Sequence, residues 1–152
     1  MGVKEHLIFT PGGQIAHIEQ IPGNRHDIQG LYALLKSDFH GRLLGDNAYW
    51  PKEAKRNELA EIGISIVADS RSNWNYQYSK RKRKWLKKNR SPIERMIGLF
   101  NQQFNAGRTL SRSKKHYVAR RWMKALSHNC SRHINIARKL ACESLQHFRL
   151  AA

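Results

Sequence analysis

Two carboxylates are conspicuous for where they sit. Glu94 is the only acidic residue between Asp69 and Glu143, in a stretch crowded with Lys and Arg. Such a carboxylate is either incidental or needed. Arg90 lies four residues before it in "RSPIER". On a helix the two share a face, so the pair is either an ordinary ion pair worth roughly a few tenths of a kcal/mol or a metal-binding carboxylate with its orienting cation. In the second case Arg90 could also grip a phosphate. Asp46 follows "RLLG" at the end of an expected buried strand. Strand ends in α/β sheets are where sites gather, so Asp46 is a structural turn residue or a metal ligand.

A second cluster, "SHNCSRH", offers His128, Cys130 and His133, with Cys142 and His147 further on. Zinc wants its ligands brought together by a turn or set four apart on a helix. On a continuous helix His128 and Cys130 point about 200° apart. The better expectation is a core cysteine with histidines facing phosphates. A third stretch, "NWNYQYSKRKRKWLKK", interleaves Trp74, Tyr76, Tyr78 and Trp85 with Lys80, Arg81, Lys82, Arg83 and Lys84, and continues to Lys87 and Lys88. The cations are expected on phosphates. The aromatics either stack on unpaired bases or pack into the core.

The charge balance says which partner these groups serve. The chain of 152 residues carries a formal net charge of +17. Residues 1–70 are net −2 and residues 71–152 are net +19, so the whole excess lies in the second half. A basic half of this density calls for a polyanion, because neutralising phosphates releases condensed counterions. DNA or RNA is the expected partner, ahead of a membrane surface or an acidic protein. No run of ~18 apolar residues is present to span a membrane. The N-terminus lacks the pattern of a signal peptide, and Gly2 fits a myristoylation start only loosely. The two cysteines read as reduced thiols, consistent with a cytoplasmic, nucleoid-associated protein.

The elements that must position these residues can be read in order. Residues 2–10 and 14–21 flank "PGG" and read as a β-hairpin, with Ile15, His17, Glu19 and Ile21 on one face of the second strand. Asp27 is expected to cap a helix over 28–37 with Ile28, Leu31, Leu34 and Leu35 buried. Residues 41–50 give a short strand running into "GDNAY". Pro51 opens a helix that Gly63 closes, and "ISIVAD" is a second short strand. The order β-β-α-β-α-β argues an α/β layer in one domain. Composition then shifts at residue 70, from which a basic loop gives way to a helix start near residue 80. Ile93, Met96, Ile97, Phe100 and Phe104 form a helical apolar stripe ending near Gly107. A last long helix spans 111–141, with Tyr117, Val118, Trp122, Ala125, Leu126, Ile134 and Ala137 as its expected buried side.

Taken in order, "TPGGQIAHIEQIPGNRHDIQGL", "LLGDNAYW", "ISIVAD" and "RSPIERMIGLFNQQFN" resemble the catalytic domain of DDE-type insertion-sequence transposases across residues 3–140. No single motif is specific, but the ordered set is. The resemblance implies an RNase H-like α/β core followed by two long basic helices. It also implies DNA transposition by metal-dependent phosphoryl transfer, with three carboxylates holding Mg²⁺ or Mn²⁺ ions. Asp46 and Glu94 match the second and third of those carboxylates. Arg90, Arg95 and the basic run would bind DNA, and the protein could form a homo-oligomer on it. The family's first strand and first Asp precede the segment matched by "GVKEHL", so the expectation is the C-terminal portion of such a domain, inactive alone. Asp27 is a conceivable substitute ligand but reads better as a cap. Lys87 and Ala48 stand where the family usually has Tyr and Gly. A non-catalytic basic protein that binds DNA or RNA is the alternative.

Overall fold

The computed structural model describes residues 2–35, 39–68, 77–107, 111 and 113–138. Trp74, Tyr76, Cys142 and His147 lie outside them. The chain is mixed α/β, with two small sheets and four α-helices among the described residues. By contacts it divides into two compact units, the first comprising 1–6 and 18–91 and the second 7–17 and 92–152.

The hairpin forms as the turn signal requires. β1 (Val3–Phe9) and β2 (Ile15–Pro22) pair across a turn closed by hydrogen bonds from Thr10 N to Gln14 O and from Gly13 N to Thr10 O. Gly13 takes φ +79°, a conformation open to glycine at little cost. Strand alternation puts Ile15 and Ile21 on one face of β2 and Ile18 on the other. Ile15, Ile18 and Ile21 are all buried, so both faces of the strand are covered. The hairpin's turn end belongs to the second unit and its other end to the first.

In the first unit, α1 (Asp27–Leu34) buries Leu31, Leu34 and Gly30. His26 is its N-cap residue, without a side-chain cap bond, so Asp27 does not act as the cap. The Asp27 carboxylate instead accepts from Lys4 Nζ on β1 at 3.0 Å. It still lies in the first helical turn, where negative charge suits the helix dipole. β3 (Gly41–Gly45) runs parallel to β4 (Ile64–Ala68) in the register Gly41↔Ile64 to Gly45↔Ala68. α2 (Glu53–Glu61) makes the crossover. It starts after Pro51 rather than at it. Pro51 is buried ahead of the helix, and its carbonyl accepts from Arg56 Nη1 at 3.2 Å. Gly63 ends the helix at φ +77°.

The long helix α3 (Lys80–Gln103) begins at the basic run and contains Pro92. Proline has no N–H, so the bond back to the Lys88 carbonyl is missing there. In the second unit the stripe shifts from the expected set. Leu99 and Phe100 are buried, whereas Ile97 is exposed. The chain turns after the helix at Asn105 (φ 48°) rather than at Gly107.

α4 (Lys114–Ala137) starts at Ser113, whose hydroxyl accepts from His116 N at 3.3 Å. Its inner face is the clearest correction. Arg121, Ala125, His128 and Asn135 are buried, while Trp122, Leu126 and Ile134 are exposed. The inward side chains do work that aliphatic groups could not. His128 Nε2 meets the Gly13 carbonyl at 2.8 Å. Asn129 accepts from Ile15 N at 2.7 Å and donates to Ile15 O at 2.8 Å. Arg132 Nε donates to Gly12 O at 3.1 Å, and Arg121 donates to the Ala106 carbonyl. Backbone groups in a turn must find partners, and the polar face of α4 supplies them.

Candidate functional site

Asp46 sits where β3 ends. It is the N-cap of a short 3₁₀ turn (Asn47–Tyr49), and its carboxylate accepts from Asn47 N at 2.5 Å. The turn reading of this residue is therefore correct, but it leaves carboxylate oxygens available. The side chain is 54% exposed, and Arg90 Nη1 of α3 stands 3.9 Å from Oδ1. Arg90 is thus set at a carboxylate in the first unit. Glu94 follows it one turn later on α3, exposed, in the second unit.

Tyr49 ties the Asp46 turn to the hairpin. Its hydroxyl shares a 2.8 Å hydrogen bond with His6 Nδ1 on β1, and the rings meet edge to face at 5.6 Å between centroids. His6 is buried, and its Nε2 has no hydrogen-bond partner among the described residues. Burial pushes the His6 imidazole below its usual pKa, partly opposed by Asp27. Burial also pushes the Tyr49 hydroxyl up, aided by Asp27 and Asp46. The pair therefore stays neutral and serves as a fixed strut. Sequence reasoning passed over this pair. The one available signal was a histidine between Glu5 and Leu7 on a strand, which does not name a partner 43 residues away.

The basic residues fall as a surface. Lys80, Arg81, Lys82, Arg83, Lys84, Lys87, Lys88 and Arg95 are all exposed along α3. Lys82 Nζ lies 4.0 Å from the centroid of the buried Tyr78 ring, which holds the first turn in place. Of the aromatics in this stretch, Tyr78 is core and Trp85 is 41% exposed, so Trp85 does not fill the core.

The histidine and cysteine cluster separates. His128 is fully buried and ringed by Phe9, Phe100 and Phe104 at 5.6 to 6.2 Å between centroids. Burial lowers its pKa, against the opposing bond to Gly13. Cys130 is exposed, which corrects the expectation of a core cysteine, because the inner face of α4 passes through residues 121, 125, 128 and 135. His133 is exposed as well, whereas His128 packs in the core rather than facing phosphate. Among the described residues no group of three or more His, Cys, Asp or Glu side chains gathers to hold a metal ion, and no helix is long and apolar enough to cross a membrane.

Comparison with curated proteins and with solved structures returned no match. Comparison with family models returned one described as "Transposase DDE domain", matched over residues 1–130. That span includes the hairpin, both strands of the parallel pair, Asp46, Arg90, Glu94 and the first two-thirds of α4, and the chain belongs to the transposase DDE domain family.

Proposed function

We propose that this chain works in DNA transposition as part of an RNase H-like domain for metal-dependent strand cleavage and transfer. Asp46 and Glu94 are its carboxylate ligands for Mg²⁺ or Mn²⁺. The observation that carries the reading is the family match over residues 1–130, a span that holds Asp46 with the Arg90 guanidinium 3.9 Å away, and also Glu94. The donor chemistry suits such an ion. Mg²⁺ takes hard oxygen ligands and is commonly held by one or two carboxylates together with substrate phosphates. A bound ion would supply Lewis-acid stabilisation and an activated water or DNA 3′-OH for in-line phosphoryl transfer.

The chain's own residues set up that chemistry. Asn47 N and the His6–Tyr49 strut fix the turn that presents Asp46. Arg90 offsets the negative charge that paired carboxylates build up, and it can pass to a phosphate when DNA arrives. Lys80 to Lys84, Lys87, Lys88 and Arg95 track the backbone. A lone carboxylate in a cationic stretch thus has a reason to be there: the surface serves DNA, and Glu94 serves the metal.

The 152-residue chain is expected to bind duplex DNA with log K falling against log salt with a slope of magnitude ~4 or more. With Mg²⁺ or Mn²⁺ it is expected to leave supercoiled plasmid unnicked, because two carboxylates hold an ion loosely and do not fix the geometry of in-line transfer. A flat salt titration contradicts the DNA assignment. Robust nicking that Glu94→Gln abolishes contradicts the inactivity and brings in a third ligand such as Asp27.

A further inference from the structure

Trp85 stands on the exposed side of the first turns of α3. The next residue, Leu86, is 1% exposed and faces the core, about 100° round the helix. Around Trp85 the neighbours one turn away are Arg81 and Lys82 before it and Lys88 after it, all exposed. The Asn89 side chain donates to the Trp85 carbonyl oxygen at 2.7 Å and braces this part of the helix. A large apolar ring is therefore held in the open with cations on both sides.

That arrangement selects a partner. A protein partner would need anions flanking an apolar pocket, and a second copy would be repelled by the same cations. A nucleic acid offers phosphates on either side of flat, stackable bases. The seven steps from Arg81 to Lys88 rise roughly 10 Å along the helix, about three base steps of duplex at ~3.4 Å each. We propose that Trp85 inserts as a stacking wedge at an unpaired or unstacked base, with Arg81 and Lys88 holding the phosphates to either side. The inference rests on the DNA-binding reading and specifies its substrate: DNA whose stack is already opened at one position.

The test measures binding of the full chain to a paired duplex, to the same duplex with one unpaired base, and to phosphatidylserine vesicles. The wild type should prefer the duplex with the unpaired base by about tenfold, in line with the contribution of a single stacked base. Trp85→Ala should lose that preference and keep its affinity and salt slope on the paired duplex, and its circular dichroism and urea midpoint should match wild type, which shows that it is folded. Trp85→Phe should retain most of the preference, and so should Trp122→Ala, which alters an exposed tryptophan on α4. A wild type without preference, or a Trp85→Ala variant that keeps it, overturns the wedge alone. Loss confined to vesicle binding in Trp85→Ala overturns it in favour of a membrane surface. No salt-dependent binding of the wild type to either duplex overturns the DNA reading and the wedge together.

Discussion

Of the glycines, Gly30 has the least room for a side chain. A Cβ there would lie 2.2 Å from the His6 ring, so the helix α1 approaches β1 only because this position lacks one. Gly30→Ala is expected to destabilise the chain by about 1–3 kcal/mol, the usual cost of overpacking, seen as a lower urea midpoint. A midpoint equal to wild type would mean that His6 can swing aside, and the strut to Tyr49 would then not be fixed. The same histidine bears on acid stability, together with His128. Burial holds both imidazoles below their usual pKa. The folded chain keeps them neutral while the unfolded chain takes up protons more readily. Their contribution is thus present above the unfolded pKa and is lost as pH falls through the folded one. Charged neighbours modulate this: Arg132 acts with burial at His128, while Asp27 opposes it at His6. Urea midpoints should fall between about pH 7 and about pH 5, and His128→Gln should fall less steeply. Equal slopes for wild type and variant would remove His128 from the explanation.

At the scale of elements, what held was what local chemistry decides. Gly63 closes α2, "PGG" turns the hairpin, and the β-branched run from Ile64 forms a strand. What failed was the inner face of α4. The expectation followed Trp122, Leu126 and Ile134, whose spacing marks an apolar stripe, and these are exposed. A count of apolar residues along a helix says nothing about backbone groups elsewhere that need partners. Here the carbonyls of Gly12 and Gly13 and both polar groups of Ile15 recruit Arg132, His128 and Asn129. Asp27 failed as a cap for a related reason, since Lys4 lies 23 residues earlier and claims its carboxylate. The α4 arrangement can be checked directly. Asn129→Ala leaves the Ile15 N–H and carbonyl without their partner and should cost about 1–3 kcal/mol. It should also speed amide exchange at Ile15. Unchanged stability and exchange would show that the clamp contributes nothing.

For the whole molecule, the family and the α/β class were legible because ordered short motifs persist over most of the chain, and the match over residues 1–130 bears that out. The expectation of a nucleic-acid partner rests on the charge split, because a net +19 half has few other physical uses. The candidate site could be read only as residue types, not as an arrangement. Asp46 and Glu94 are 48 residues apart in sequence, and spacing along the chain does not say whether they meet. The central claim is that Asp46 and Glu94 share a divalent ion, and iron-directed backbone cleavage tests it most directly. Fe²⁺ substituted for Mg²⁺ in the presence of ascorbate cuts the polypeptide near wherever the ion binds. The account predicts two cuts, one near Asp46 and one near Glu94, competed by Mn²⁺ and both lost in Asp46→Asn and in Glu94→Gln. Cuts at one of the two segments only, or cuts that survive either substitution, would contradict a shared metal centre.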